Sequence, residues 1–234
     1  MDKLDTGRGS YFAQLYKNGQ RTTSLAFTDL SKTTHIPNID PELFRGSQIA
    51  ALCGALPLFV LSHVIAASSL AKILYDYHQM PQILWWLASS FVPLGLLAVL
   101  WIKNDKNNSY SSIAKVRWVE ILAILFGVSW GLCPTIFFAS ADPSLRVLII
   151  GVTLAIAAVG TFALSSVPSA AILFSGIITV LLAVSSSALG AAIGIVFAAF
   201  TIIFGVVLAS MILNFHRSQL EKAIDTQELR QQNE

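Results

Sequence analysis

Between residues 119 and 215 the chain carries only three side chains of the Asp, Glu, Lys and Arg types: Glu120, Asp142 and Arg146. A stretch this long and this poor in charge cannot cover itself with a water-facing surface, because soluble domains carry about 25% charged residues. Over the whole chain the charged fraction is 12% and the apolar fraction 55%, with a mean hydropathy of +0.68. Lipid must therefore solvate part of the molecule. Apart from Lys72 and Asp76, the remaining charges crowd into residues 1–46, 103–117 and the last twenty positions. The net charge of +2 says little about partners, because the distribution carries the information. No nucleic-acid partner is expected.

A helix needs about 20 apolar residues to cross the hydrocarbon core. Six runs qualify: 47–73, 82–102, 116–139, 145–164, 168–184 and 188–215. Backbone polar groups in lipid must be hydrogen-bonded within the segment, so each run is predicted to be helical. The expected fold is an all-α polytopic bundle of about six spans over residues 47–215. A polar leader (1–46) precedes it and a polar helix (216–234) follows it. Trp85, Trp86, Trp101 and Trp118 fall near span ends, as in the aromatic belts of membrane proteins. The last three runs are joined by very short polar breaks, Ser165 to Pro168 and Ser185 to Ser187, which implies antiparallel neighbours.

Lys and Arg in short loops set the orientation. With the N-terminus inside, the cytoplasmic face holds Lys3, Arg8, Lys17, Arg21, Lys32, Arg45, Lys103, Lys106, Lys115, Arg117, Arg217, Lys222 and Arg230, and the outer face only Lys72 and Arg146. An even number of spans preserves that asymmetry, so both ends are expected in the cytoplasm of a bacterial cell, with the bundle in the inner membrane. The first apolar run begins near Ile49, behind the polar leader, which does not read as a cleavable signal. Cys53 and Cys133 both lie in apolar runs and read as small buried residues rather than a disulfide framework.

In the leader, Tyr11, Phe12, Leu15 and Tyr16 share one face of a short helix. It would lie on the membrane surface or belong to a disordered tail. After Phe215 the sequence contains neither Gly nor Pro and is rich in helix formers. The sixth span is expected to run from Ala188 unbroken into the cytoplasm. Leu213, Leu220 and Gln227 fall at heptad spacing, with Arg217 and Ile224 between them, a seam of modest quality. Leu213, Leu220 and Ile224 are the candidate relay positions. With no capping motif before Glu234, the sequence reads as a truncation, or as a boundary before an output domain.

Ionisable groups at membrane depth are costly and count as functional candidates. His63 lies midway along the first span, as a hydrogen-bonding group, a proton-sensitive switch or a ligand to haem or metal. The last would require a second intramembrane histidine, and His35, His78 and His216 lie outside or at the edges. No metal site is expected, and any cofactor is unknown. Glu120 follows Lys115 and Arg117 at the start of the third span; it reads as a local ion pair or as a ligand-binding carboxylate. Asp142 and Arg146 are expected to pair with each other. Pro57, Pro93 and Pro134 fall within spans and mark kinks. Trp130, Cys133 and Pro134 offer an aromatic, a small residue and a kink on about one turn, the wall of an apolar ligand pocket or ordinary packing.

Gly190, Gly194 and Ala198 form a GxxxG pattern extended by one small residue, a dimer face or an internal packing face. Gly151 and Ala155 offer a weaker surface of the same kind. The sequence contains no Walker loop, dinucleotide-binding glycine motif, HExxH, CxxC or GxSxG. Catalysis by this chain alone is not expected; any enzyme would be an attached domain.

The Phe126-Gly127-Val128-Ser129-Trp130-Gly131 stretch, the Asp142-Pro143 break, the small-residue-rich hairpins and the Glu/Gln-rich helix over residues 221–234 come in an order that resembles the N-terminal membrane sensor modules of bacterial signalling proteins. The resemblance covers residues 47–234 as a pattern. It implies a ligand- or redox-responsive input region that forms a homodimer and passes helix movement to a GGDEF diguanylate cyclase, an EAL phosphodiesterase or a histidine kinase domain. A small transporter or a structural membrane subunit is the competing reading. Transporters show inverted repeats around a polar midplane, and the two halves of this chain differ in loop length and Trp content.

Overall fold

A computed structural model describes residues 41–76, 80–103, 113–138 and 141–232. The described residues form α1 (Pro41–Tyr75), α2 (Met80–Lys103), α3 (Ile113–Phe137), α4 (Pro143–Leu164), α5 (Pro168–Ser185), a 3-10 turn (Ser186–Leu189) and α6 (Ala191–Gln232). Each of the six α-helices is long and apolar enough to cross a membrane. The leader helix expected around Tyr11, Phe12, Leu15 and Tyr16 and most of the basic loop before Lys115 lie outside the described residues, as do the side chains of Leu220 and Ile224.

The six runs and the six helices correspond, with shifts at their ends. Helix α1 begins at Pro41 rather than at residue 47, so the last residues of the expected leader already belong to it. Proline at a first helical position lacks only an amide that has no partner there anyway. Helix α4 starts at Pro143, and the Asp142 carboxylate caps it by accepting from the Leu145 amide at 2.8 Å. Arg146 donates through Nε to the Ala141 carbonyl at 2.8 Å. The α-helix continues through Pro57, Pro93 and Pro134.

Helix α5 is central: it packs against α3, α4 and α6, with its largest interface on α3. Glycine makes that closeness feasible. A Cβ on Gly127 would stand 3.0 Å from the Phe174 carbonyl oxygen, and one on Gly131 2.6 Å from Leu181 Cδ1. Gly127 and Gly131 are thus a working GxxxG pair between α3 and α5. Helix α1 lies on α2 and α4, through the stripe Ile49, Leu52, Leu56, Phe59, His63, Ala67, Leu70 and Leu74, all buried at three- and four-residue steps.

Helix α6 differs from expectation at its start. Leu189 closes the 3-10 turn and Gly190 follows with φ 92° and ψ 158°, so the helix begins at Ala191, not at Ala188. Gly190 therefore lies outside the helix, and Gly194 faces inward, where a Cβ would approach the Ser186 carbonyl oxygen to 2.5 Å. Gly190, Gly194 and Ala198 therefore do not all lie within one helix. Further along, Gly205 seats α6 on Thr179 of α5. Gly151 and Ala155 are exposed on α4. From Ala191 the helix then runs 42 residues without interruption, about 63 Å at 1.5 Å per residue.

Candidate functional site

The α1 stripe that turns Phe59 and Ala67 into the bundle also turns His63 inward, where it is fully buried. Helix α3 presents Trp130 to it, and the indole N–H of Trp130 donates to His63 Nδ1 at 3.0 Å. The rings of Phe126, Phe91 and Trp130 stand edge-to-face with the imidazole, at centroid distances of 4.6, 5.4 and 5.4 Å. Phe59 tilts against it from one turn back on α1. Edge-to-face pairs of this kind add favourable quadrupole contacts to plain burial.

The hydrogen bond fixes the chemistry of the imidazole. Nδ1 accepts a proton donor, so its lone pair is in use and the ring's proton sits on Nε2. His63 is therefore a neutral donor, and its Nε2 is buried without a hydrogen-bond partner. In this tautomer Nε2 has no free lone pair with which to ligate a metal. Among the described residues no group of three His, Cys, Asp or Glu side chains is placed to hold a metal ion.

Trp130 is itself held by a second layer. Trp86 of α2 meets it edge-to-face at 5.3 Å and donates its own indole N–H to the Ser129 carbonyl at 3.2 Å. The Ser129 hydroxyl lies 2.6 Å from that of Ser90 and 3.1 Å from that of Ser89. Three hydroxyls and two indoles thus clamp α2 to α3 beside the histidine. Trp86, expected in an interfacial belt, is a core residue, because its polar edge has a partner inside; Trp85 and Trp118 are exposed.

Of the expected pocket wall, Trp130 and Cys133 are fully buried, and Pro134 is buried beside them. Proline has no N–H, so Pro134 leaves the Trp130 carbonyl without its usual helical donor. Glu120 does not join this cluster. Its carboxylate accepts from the Ser169 hydroxyl of α5 at 2.5 Å, a bond across two helices in place of the expected local pair with Lys115 or Arg117. A further cross-helix bond joins Thr135 of α3 to Ser185 of α5 at 2.7 Å. The structure thus brings together His63 and Trp130 and leaves Glu120 apart.

Phe59, Trp86, Ser89, Ser90, Phe91, Phe126 and Ser129 were missed by reading the sequence. The available signal was the set of hydroxyls Ser89, Ser90 and Ser129 inside otherwise apolar runs, which require partners within the bundle. At the other end of α1, Phe44 meets His216 of α6 edge-on at 6.4 Å. Leu213 of α6 is half-buried one turn earlier. No protein-family model, curated protein or solved structure matches this chain.

Proposed function

We propose that this chain is the membrane input module of a bacterial signalling protein. It sits in the inner membrane with both ends cytoplasmic, forms a homodimer, and relays movement of α6 to a cytoplasmic output domain of the diguanylate cyclase, phosphodiesterase or kinase kind. The observation that carries the reading is the continuity of α6 over 42 residues. The hydrocarbon core is about 30 Å thick, so a helix of that length extends well past it as one rigid element.

Two further features support the reading. Only 17% of the apolar window of α6 is buried, against 56% for α3, so α6 is the helix least tied to the bundle and the one most easily displaced. The Phe44–His216 contact links the start of α1 to α6 beyond its apolar stretch, which is consistent with both lying at the cytoplasmic surface. The basic side chains at 103–117 and in the two end segments support the inside orientation.

The experiment is an insertion of two glycines after Phe215 in the protein carrying its output domain. Glycine is a poor helix former and makes the exit of α6 compliant. Loss of regulation with output activity retained is expected. Unchanged regulation in that variant, or a reading frame that closes at Glu234, would overturn the relay.

A further inference from the structure

We infer that His63 is the donor of a binding site for a neutral, membrane-dissolved molecule bearing a carbonyl oxygen on a flat ring, of which a benzoquinone headgroup is the type. The inference rests on the input-module reading for its biological purpose; the binding itself does not depend on it.

The first observation is the orphaned donor. His63 is wholly buried, Trp130 occupies Nδ1, and the Nε2–H has no partner. A buried polar group without a partner is costly, and more so at membrane depth. Such a group in an otherwise satisfied cluster needs an explanation, and a ligand that accepts a hydrogen bond supplies one. Because the only free edge of the ring is a donor, the ligand's polar atom must be an acceptor. An amine or ammonium group does not fit.

The second observation is the lack of charge. No Asp, Glu, Lys or Arg occurs at residues 47–71, 80–102, 121–141 or 147–215. No cation is at hand for a carboxylate or phosphate, which disfavours fatty acids and lipid headgroups. The third is the aromatic company. Phe59, Phe91, Phe126 and Trp130 all meet the imidazole with their rings, surroundings that favour a flat, apolar ligand ring.

Access runs from the lipid. Phe126 and Trp130 are buried, but Phe91 of α2 is only half-buried, and its neighbour Val92 is 61% exposed. On the facing helix, Val64 and Ile65 beside His63 are exposed as well. The proposed entry is the α1–α2 seam beside Phe91, whose ring has to turn aside for a ligand to reach His63. Occupation of that seam separates α1 from α2 and loads the Trp86–Ser129 clamp on α3, the helix that carries α5 and, through it, α6.

The test uses the whole chain in lipid nanodiscs, with a decyl-substituted benzoquinone as the probe and decylbenzene, which lacks the carbonyl, as the control. Saturable binding of the quinone and none of the control is expected. His63→Phe keeps a ring and removes the donor; its Kd for the quinone should rise about tenfold or more, as for loss of a buried hydrogen bond. Wild-type chain labelled with 15N-histidine gives a second readout that needs no variant, in which saturation with the quinone should shift the Nε2–H resonance of His63. Equal binding of quinone and decylbenzene, equal Kd in His63→Phe, or an unmoved Nε2–H signal overturns the site. Quinone binding through His63 in a protein whose output ignores the quinone leaves the site standing and removes only the input-module reading.

Discussion

The indole N–H of Trp130 on α3 donates to Nδ1 of His63 on α1 at 3.0 Å, with both side chains fully buried. This one bond sets the tautomer of the histidine and joins the first helix of the bundle to the third. Trp130→Phe should remove it while keeping an aromatic ring in place. Leaving His63 Nδ1 buried without a donor costs about 1–3 kcal/mol, read as a lower unfolding midpoint in detergent. The 15N spectrum of His63 should then show both tautomers, where the parent shows one.

Close helix approach in this bundle depends on particular glycines. Gly127 and Gly131 leave no room for a methyl group against α5, whereas Gly151 and Gly176 meet nothing within 4 Å. Gly127→Ala and Gly131→Ala should each destabilise by about 1–3 kcal/mol through overpacking. Gly151→Ala and Gly176→Ala should be neutral or gain up to about 1 kcal/mol from helix propensity. Equal effects at all four positions in equilibrium unfolding would contradict the assigned α3–α5 contact.

Gly190 is different, because its backbone rather than its space is the constraint. At φ 92° and ψ 158° any residue with a Cβ is strained, at a cost of about 1–3 kcal/mol. Gly190→Ala should lower stability by that amount and Gly194→Ala should disturb the Ser186 turn, yet neither should alter self-association. A selective loss of the dimer in chemical crosslinking, with the fold intact, would restore the GxxxG face that the sequence suggests.

Glu120 and Ser169 offer a pairwise test. Glu120→Ala and Ser169→Ala each remove the 2.5 Å bond, so the double variant should be less destabilised than the sum of the singles. A coupling of about 0.5–1.5 kcal/mol is expected from a double-mutant cycle, the range for contacting hydrogen-bonded groups. Strict additivity would mean that the bond contributes nothing in the folded protein.

The sequence made the helices legible because lipid imposes one rule, a long apolar run with its backbone satisfied internally. It read their ends less well: Pro41 and Pro143 start helices before hydrophobicity rises, and Gly190 interrupts a run that composition alone joins. The site was half visible. His63 and Trp130 stand out as a lone imidazole and an aromatic beside a proline. That they meet is a matter of rotation about two helix axes, and 67 positions separate them. In membrane helices apolar residues face both lipid and core, so the periodicity that marks a buried face in soluble helices is faint. The same ambiguity hid Gly127 and Gly131, whose spacing matches that of Gly190 and Gly194, and sent Trp86 to the membrane surface.

The central claim is that α6 leaves the bilayer as one helix on the cytoplasmic side. The most direct test is the side from which its exit can be labelled. Ser144 at the start of α4 and Ser218 on α6 are both exposed and lie at opposite ends of the proposed topology. Each is changed to cysteine in a Cys53→Ala background, with the buried Cys133 left in place. A membrane-impermeant maleimide should label Ser144→Cys on intact spheroplasts and Ser218→Cys only after permeabilisation. Labelling of both positions from the same side, or of Ser218→Cys on intact spheroplasts, contradicts the claim.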